Sequence, residues 1–311
     1  MSPRLLGVLL VLVSACSFGS GALFAKPVYA AGVDWLTVLA WRFLVGATLS
    51  WAWVLSSGSR RAGLRALPRR QVLAGVALGL LYVGNSATYY AGIETVPVSL
   101  AALIVYVYPA LVAVLALFVG RRLGGGRAWA ALGLAIAGVV LSVGGIDPAA
   151  EPPIVGLVQV IASPIIYSVW IVLAARLTGE RRDATGHESV AGAEAAPAAA
   201  IMITATGLAY WIGSFVVGRP ALSVPIPAEA WPPLLGIGAI ASFLAIQTFT
   251  EGARRIGAAQ AALLSTIEPL WTIALAGLLL GESLTAVQAV GGALILAGVV
   301  LSQASPDLLG P

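Results

Sequence analysis

Residues 249–278, FTEGARRIGAAQAALLSTIEPLWTIALAGL, repeat the pattern of residues 89–118, YYAGIETVPVSLAALIVYVYPALVAVLALF. The two stretches align without a gap when the chain is shifted by 160 residues. The matched positions include Gly92 with Gly252, Pro109 with Pro269, and the AGVVLS run at 137–142 with the same run at 297–302. A bias toward Ala and Leu does not easily produce an aligned proline and six identical residues in a row, so the chain contains an internal repeat.

The composition is that of a membrane protein. Hydrophobic residues make up 59% of the 311 residues and charged residues 10%, whereas about a quarter of a soluble domain is charged. Apolar runs of roughly 20 residues recur along the chain, each long enough to cross a hydrocarbon core about 30 Å thick. We predict an all-α polytopic membrane protein with ten transmembrane helices, at residues 5–25, 35–57, 71–93, 96–119, 128–146, 154–175, 198–218, 231–252, 257–280 and 284–303.

Basic residues collect in alternate connections between the predicted helices. Because Lys and Arg concentrate on the cytoplasmic side of membrane proteins, these connections and both termini are expected in the cytoplasm. The opposite connections are mostly acidic, and Arg219 is their one clearly basic residue. The net charge of +4 thus has a membrane explanation, and we predict no nucleic-acid partner. The arginines on the predicted cytoplasmic side are Arg4, Arg60, Arg61, Arg65, Arg69, Arg70, Arg121, Arg122, Arg127, Arg176, Arg181, Arg182, Arg254 and Arg255.

The repeat predicts two halves that cross the membrane in opposite directions. The shift carries the fourth helix onto the ninth, and a displacement by five helices, an odd number, reverses the direction of crossing. Such inverted repeats are typical of transporters, in which two related halves move about a shared site near the middle of the bilayer. A duplicated scaffold without transport is the alternative. We place the halves at 1–147 and 152–305, with a cytoplasmic loop at 177–197 that holds the only histidine, His187, as a solvated side chain.

Local features add detail to the helices. The sequence VSAC ending at Cys16 resembles the end of a lipoprotein signal, but the apolar run continues past it, and we interpret Cys16 as a small buried residue. Glycines spaced four apart, Gly75 with Gly79 and Gly277 with Gly281, predict close helix packing. A single Cys provides neither a disulfide within the chain nor a Cys-based metal site.

Residues 258–301 carry motifs of a known family. The stretch AAQAALLSTIEPLWTIALAGLLLGESLTAVQAVGGALILAGVVL has a Glu-Pro pair in a helix, then LLLGE, then a glycine-rich final helix. It resembles the signature of EamA-type transporters of the drug/metabolite transporter superfamily. WLTVLAWRFLVGATL, residues 35–49, resembles the second helix of that family. The resemblance covers essentially the whole chain and implies a ten-helix carrier of amino acids, metabolites or drugs, built from two inverted five-helix halves.

The first half departs from the family pattern. The family usually carries Gly-Glu after its fourth helix, and this chain has GRRLGGG at residues 120–126. A glutamate at that position is therefore not essential to the mechanism of this protein. Because the family includes exporters, importers and exchangers, the resemblance names neither the substrate nor the direction of transport.

Glu268 lies near the middle of the predicted ninth helix, where insertion of a carboxylate costs roughly 2.5–3.5 kcal/mol. Pro269 has no N–H, so a carbonyl one turn earlier loses its helical partner, and Ser265 and Thr266 are close enough to help satisfy it. Two interpretations of Glu268 stay open. In the functional interpretation, Glu268 contacts a cationic group of the substrate or carries a coupling proton. In the structural interpretation, Glu268 is neutral and hydrogen-bonds a neighbouring helix, which fixes the kink.

Polar and aromatic residues recur at helical spacing along several predicted helices. Rings, amides and hydroxyls together suit a small amphiphile, since rings can contact its apolar part or a cation. The alternative for each residue is an interfacial anchor or a bridge between helices. We predict that the substrate is bound by Glu268, Trp271, Ser265, Tyr82, Asn85, Tyr89, Ser163, Tyr167, Trp170 and Gln247.

Two basic residues lie in or beside the predicted helices. Arg42 is in the second helix, where it can extend toward the outer surface or pair with Asp34, and we interpret it as structural. Lys26 precedes Pro27 at the edge of the first helix, and we interpret it as interfacial, with a substrate role as the alternative.

The sequence as a whole predicts a carrier of the cytoplasmic (inner) membrane that moves small organic metabolites, amino acids or similar amphiphiles, by alternating access. Export is favoured by the family resemblance, and a multidrug or quaternary-ammonium efflux carrier is the alternative. The predicted helices hold no His, HExxH motif or carboxylate pair, so an enzyme is not expected. They also lack the rings of repeated charge typical of many channels. We predict no cofactor and no metal, and as partners a small-molecule substrate, membrane lipid and a candidate coupling proton.

Overall fold

The computed structural model describes residues 2–118, 125–146, 151–177 and 195–303, and most of these residues are helical. A 3-10 turn at Ala228–Ala230 precedes the eleventh helix, and a π-helical turn at Ala239–Leu244 follows it. His187, Arg121, Arg122, Arg181 and Arg182 lie outside the described residues. The helices are α1 (Pro3–Gly19), α2 (Gly21–Ala30), α3 (Trp35–Leu55), α4 (Gly58–Ala66), α5 (Arg69–Ile93), α6 (Val98–Val105), α7 (Tyr108–Phe118), α8 (Gly125–Gly144), α9 (Ile154–Leu177), α10 (Ala195–Val216), α11 (Trp231–Gly238), α12 (Ala245–Ile256), α13 (Ala258–Leu264), α14 (Ile267–Leu280) and α15 (Ala286–Gln303).

Eight segments of the described chain are long and apolar enough to cross a membrane. Two shorter apolar helices, Trp129–Gly144 and Ala286–Ser302, coincide with the predicted fifth and tenth helices. The protein is therefore a helical, multi-pass membrane protein. The eight segments are Pro3–Ala30, Trp35–Leu55, Arg69–Ile93, Val98–Leu115, Ile154–Ala174, Ala196–Val216, Ala228–Ile256 and Gln260–Leu280.

The outer surface is apolar, as a lipid-facing surface requires. Large apolar side chains are exposed on several helices. The exposed fraction is 80% for Leu278, 79% for Val216 and 76% for Ile154. Small and aliphatic residues such as Ala25, Val28 and Leu39 are buried between the helices instead. This distribution places the packed interior between the helices and leaves the bundle exterior to lipid tails.

Side-chain hydrogen bonds fix where several helices begin. The Asp34 carboxylate accepts from Leu36 N at 2.9 Å and Thr37 N at 3.0 Å, so it caps α3. At the start of α15, Thr285 N donates to Gln288 Oε1 at 3.0 Å and Gln288 N donates to Thr285 Oγ1 at 3.2 Å. This reciprocal pair is a capping box, which satisfies backbone donors that the first turn cannot pair internally.

Two helix pairs from different parts of the sequence pack through matching glycines. α1 lies against α12, where a Cβ atom on Gly252 would come within 2.9 Å of the Gly7 carbonyl oxygen. α5 lies against α9, where a Cβ atom on Gly92 would come within 3.0 Å of the Gly156 carbonyl oxygen. Gly92 and Gly252 are aligned by the repeat. The same close backbone approach therefore occurs in both contacts.

Matching serines lie on the same two contacts. The Ser14 hydroxyl of α1 donates to the Ala245 carbonyl of α12 at 2.7 Å. The Ser163 hydroxyl of α9 donates to Oδ1 of Asn85 in α5 at 2.9 Å. Asn85 and Ala245 are also aligned by the repeat, so each contact adds one buried hydrogen bond at an equivalent position.

α8 and α15 pack antiparallel along their length. A Cβ atom on Gly138 would lie 2.5 Å from the Gly291 carbonyl oxygen, and one on Gly298 would lie 2.6 Å from the Ala131 carbonyl oxygen. Residue numbers rise along α8 where they fall along α15, so the helices run in opposite directions. Backbones this close leave no room for a side chain at either glycine.

Of the two glycine pairs singled out in the sequence, one packs as predicted. A Cβ atom on Gly75 would come within 3.3 Å of Ile201, and one on Gly79 within 2.8 Å of Ala205, both on α10. The prediction for the second pair is wrong. Gly281 has a φ angle of 68° and ends α14 in a left-handed conformation, which a glycine adopts at little cost. A Cβ atom on it would meet no described atom within 4 Å.

We predict that Gly138→Ala destabilises the protein, whereas Gly133→Ala in the same helix does not. The added methyl group at Gly138 meets the Gly291 carbonyl oxygen at 2.5 Å, and overpacking of this kind costs about 1–3 kcal/mol. Gly133 is exposed and a Cβ atom there meets no described atom within 4 Å. Thermal unfolding in detergent, followed by helical circular dichroism, should show a lower midpoint for the first variant alone. Equal midpoints would contradict the close approach of α8 and α15.

Candidate functional site

Two helical segments are interrupted at equivalent positions of the repeat. α6 ends at Val105 and α7 begins at Tyr108, while α13 ends at Leu264 and α14 begins at Ile267. In each case the second helix carries a proline in its first turn, Pro109 or Pro269, and these prolines are aligned by the repeat. Interrupted helices in corresponding positions of two halves are where membrane transporters place their substrate sites.

The two interruptions contact each other through Tyr106. Because Pro269 has no N–H, the Ser265 carbonyl lacks its normal helical donor. It accepts instead from Glu268 N at 3.0 Å and from the Tyr106 hydroxyl of the other interruption. The Ser265 hydroxyl donates elsewhere, to the Ala261 carbonyl at 2.9 Å. The main donor from outside the helix is therefore Tyr106, which the sequence analysis did not include among the site residues.

Glu268 lies beside this contact. Its Oε2 atom is 3.5 Å from the Tyr106 hydroxyl, and its side chain is partly exposed. Its backbone packs against Gly19 at the end of α1, where a Cβ atom would lie 3.0 Å from the Glu268 carbonyl oxygen. The Thr272 hydroxyl, one turn further along α14, donates to the Gly19 carbonyl at 3.0 Å. Glu268 therefore lies between the end of α1 and the interruption that follows α6.

A row of aromatic rings leads away from Glu268. The Tyr106 ring lies 5.6 Å from Tyr108, and Tyr108 lies 4.9 Å from Tyr167. Tyr167 stacks on Trp170 at 5.8 Å, and Tyr82 lies 5.5 Å from Trp170 and 6.3 Å from Tyr167. We call these five rings, contributed by α5, α7, α9 and the residue that follows α6, the aromatic row. Tyr82, Tyr108, Tyr167 and Trp170 are partly exposed.

Arg42 lies at the other end of the aromatic row. The Phe43 ring is 6.2 Å from Tyr82, and Arg42 Cζ is 5.1 Å from Phe43 and 4.7 Å from the Tyr90 ring. Distances of this size are those of cation–π contacts. Arg42 does not pair with Asp34, as the sequence analysis allowed, because Asp34 caps α3.

The remaining predicted site residues are Asn85, Ser163, Tyr89, Trp271 and Gln247. Asn85 and Ser163 bind each other, and the Tyr89 ring lies 5.5 Å from Tyr90, which contacts Arg42. Trp271 is 38% exposed, and its Nε1 donates to the Ser20 hydroxyl at 3.1 Å. No ring contact among the described residues joins Trp271 to the aromatic row. Gln247 Nε2 is buried and has no hydrogen-bond partner in the part of the chain that the structure describes.

A second set of polar contacts joins segments at the predicted outer ends of the helices. The Glu282 carboxylate accepts from Val98 N at 2.9 Å and Ser99 N at 2.7 Å, so it caps α6 from the loop after α14. Lys26 Nζ donates to the Val96 carbonyl at 3.0 Å. Lys26 is inside the first membrane segment rather than at its edge, because α2 continues to Ala30.

Glu94 completes this set of contacts. Its Oε1 atom accepts from Trp35 N at 2.7 Å, at the start of α3. Burial raises the pKa of the Glu94 carboxyl, and the hydrogen bond from Trp35 N opposes that rise. Together, Glu94, Glu282 and Lys26 tie α2, α3, α6 and the loop after α14 to one another.

The sequence analysis missed Tyr106, Tyr108, Phe43 and Glu282 as part of these contacts. Of these four residues, Tyr108 could have been identified from the repeat, because the 160-residue shift aligns it with Glu268. Nothing in the sequence indicates that Tyr106 donates to the opposite interruption, because that bond depends on how the two segments cross.

The described residues offer no site for a metal ion. No group of three or more His, Cys, Asp or Glu side chains comes together within the described ranges. The polar groups of the site are instead hydroxyls, amides, one carboxyl and one guanidinium. Groups of this kind are suited to hydrogen bonds and charge interactions with organic solutes.

Comparisons with known proteins agree with this architecture. A solved crystal structure aligns with 99% of this chain and 98% of its own, with a TM-score of 0.62 and 20% sequence identity, which shows a shared fold. An "Uncharacterized transporter" of Archaeoglobus fulgidus is 27% identical over 294 residues, 94% of each chain. The model of the EamA-like transporter family matches residues 5–144 and 154–303. Because these matches span almost the whole chain, this membrane protein belongs to the EamA-like transporter family.

Proposed function

We propose that the protein is a carrier that moves small organic metabolites, amino acids or similar amphiphiles, across the cytoplasmic membrane by alternating access. The observation that supports this most directly is the contact between the two repeat-related helix interruptions, where Tyr106 meets Ser265 beside Glu268. Broken helices that meet in this way bring unpaired backbone groups and polar side chains to one place within the bilayer. Export is the proposed direction, on family resemblance alone.

The proposed architecture is ten transmembrane helices in two inverted halves, 1–147 and 152–305. Repeat-related helices that pack on each other run antiparallel, as α8 and α15 do. In the broken segments, Tyr106 lies near Ser265 while Val98, earlier in the chain, lies near Glu282. That pairing is also antiparallel. Both observations fit halves that enter the membrane from opposite faces.

The proposed substrate-binding residues surround the aromatic row. Glu268 would either bind the cationic group of the substrate or carry a coupling proton. Tyr82, Tyr167 and Trp170 would contact the apolar part of the substrate, with Asn85, Ser163, Tyr89 and Ser265 adding polar groups. Gln247 joins this set because a buried amide nitrogen without a partner is costly and is relieved by a ligand. Trp271 has the weakest support, since it contacts Ser20 apart from the row.

The proposed orientation has both termini and the loop at 177–197 in the cytoplasm. α4 carries Arg60, Arg61 and Arg65 between two membrane segments, and Arg60 Cζ lies 3.8 Å from the Trp53 ring. A basic helix anchored by a tryptophan suits the cytoplasmic membrane surface, where anionic lipids attract arginines.

A multidrug or quaternary-ammonium efflux carrier is the second candidate. It is favoured by the position of a carboxyl group at the end of a row of aromatic rings, since both groups attract organic cations. The two candidates differ in selectivity, because a multidrug carrier would accept solutes according to hydrophobicity and charge.

Uptake into proteoliposomes tests the proposed function. With purified protein and a panel of labelled amino acids and amines, we expect saturable transport of a narrow set of amino acids, measured with and without a pH gradient. Transport that follows hydrophobicity and positive charge across the panel would support the efflux alternative. A folded protein that moves no solute of the panel would contradict both.

Glu268→Gln should lower transport by at least about tenfold, the scale of one lost charge-assisted contact. The amide keeps the size of the side chain but cannot carry a proton or a negative charge. We expect the dependence of transport rate on pH to flatten as well. Glu229→Gln, which changes an exposed glutamate of the 3-10 turn, is the matched control. An unchanged rate and pH profile for Glu268→Gln would rule out the proton role.

The Glu282 contact connects the two proposed halves and would have to break if the outer side opened. Its carboxylate holds two N–H groups at the start of α6, a helix end that favours negative charge. Removing it weakens the attachment of the loop after α14 without touching the aromatic row.

We therefore predict that Glu282→Ala speeds the reaction of Cys16 with a membrane-impermeant maleimide added from outside. Cys16 is partly exposed in α1, about one turn before Gly19, which packs against the Glu268 backbone, so its thiol reports access to this region. The expected increase is severalfold in the labelling rate, with Glu229→Ala unchanged as control. Equal rates in wild type and Glu282→Ala would show that this contact does not restrict access.

A further inference from the structure

Arg42 is the one charged side chain among the described residues that is almost completely buried, with 6% of its surface exposed. It lies within the membrane segment Trp35–Leu55. A guanidinium group stays protonated at any physiological pH, so burial cannot neutralise it. A permanent charge in this position must be compensated by its surroundings.

The groups that surround Arg42 are neutral. Its Nε donates to the Ser242 hydroxyl at 2.8 Å, and its Nη2 donates weakly to the Ala241 carbonyl at 3.5 Å. Its Cζ atom lies over the Phe43 ring at 5.1 Å and over the Tyr90 ring at 4.7 Å. No carboxylate forms an ion pair with it within the described part of the chain. The Tyr90 side chain is a third hydrogen-bond partner of the guanidinium. Because the guanidinium has five N–H donors, these three contacts still leave donors available.

The helix that faces Arg42 is irregular at the point of contact. Ala241 and Ser242 belong to the π-helical turn Ala239–Leu244. Such turns are rare and occur often at functional sites, because they widen the helix and redirect backbone and side-chain groups. Arg42 comes from the first half of the chain and this turn from the second, so the guanidinium lies where the two halves meet.

Arg42 and Glu268 border the same aromatic lining. Phe43 joins the Arg42 end to Tyr82, and Tyr106 joins the other end to Glu268. A solute along this row would therefore meet a positive group at one end and an acidic group at the other.

We propose that Arg42 binds the carboxylate of the transported metabolite, so that the substrates are organic acids with an ammonium group, that is, zwitterions of the amino-acid type. This inference rests on the proposed carrier function and narrows its substrate class. A carboxylate would supply the counter-charge that Arg42 lacks and would use its free N–H donors. Simple amines and quaternary ammonium ions lack that group and would be repelled by the guanidinium.

The test compares each transported amino acid with the amine left after removal of its carboxylate. In proteoliposomes of the wild-type protein, we expect the amino acid to be transported at least about tenfold faster than its amine, the scale of one charge-assisted contact. This comparison needs no mutation, so it does not depend on whether a variant folds.

Arg42 variants then test whether this residue causes the preference for the amino acid over its amine. Arg42→Gln should lower the transport rate of the amino acid by at least about tenfold. The ratio of the amino-acid rate to the amine rate should fall to within about twofold. Arg42→Lys keeps the charge without the planar fork and should retain part of the preference. Arg61→Gln, at an exposed arginine of α4, should behave as the wild type.

Two results would overturn the inference while leaving the carrier function intact. One is a wild-type protein that transports the amine as well as the amino acid. The other is an Arg42→Gln protein that is folded by thermal unfolding and keeps the full preference. Absence of any transport in the panel would instead contradict the proposed function itself.

Discussion

A backbone carbonyl that loses its helical partner within hydrocarbon must find another donor inside the protein, because lipid offers none. At Ser265 the missing donor is replaced by Glu268 N of the same segment and by the hydroxyl of Tyr106, which belongs to the repeat-related interruption of the other broken segment. The Tyr106 bond joins the two interruptions of the chain directly. It also places Glu268 where a hydroxyl can reach its carboxyl group.

The close helix contacts provide the frame that holds this bond. Glycines allow α1 to approach α12, α5 to approach α9, and α8 to approach α15 until backbone atoms nearly touch. In lipid, where burial of apolar surface gives little advantage between helices, such contacts supply much of the packing energy. Polar hydrogen bonds such as that from Ser14 to Ala245 then fix the register of the pairs.

Most of the secondary structure could be predicted from hydrophobic runs and charges, and the repeat indicated which segments are related. Gly75 and Gly79 were correctly identified as packing residues, because small residues in lipid have few other roles. Gly281 was not, since a glycine that ends a helix and a glycine that packs have the same spacing in sequence. The difference lies in a φ angle of 68°, which depends on where α14 stops.

Site residues were less predictable, because their roles depend on how helices cross. Glu268 and the rings Tyr82, Tyr167 and Trp170 stood out as polar or aromatic groups in apolar helices, and the structure links them in one row. Tyr106 and Glu282 did not, since each acts on backbone groups more than 150 residues away in the chain. Spacing along one helix carries no information about such partners.

The equivalent serine contacts differ in one respect that bears on energetics. Ser14 donates to the main-chain oxygen of Ala245 at 2.7 Å. Ser163 donates mainly to the side-chain amide oxygen of Asn85, the residue aligned with Ala245, at 2.9 Å, and only weakly to the Asn85 main-chain oxygen at 3.5 Å. A main-chain acceptor survives any substitution, but an amide acceptor does not. The two contacts therefore share their geometry but differ in the acceptor group. Under the proposed alternating access, side chains such as Asn85 that differ between the repeats would contribute to the free-energy difference between the inward-open and outward-open conformations. A substitution there would shift the resting state of the protein while its helices stay the same.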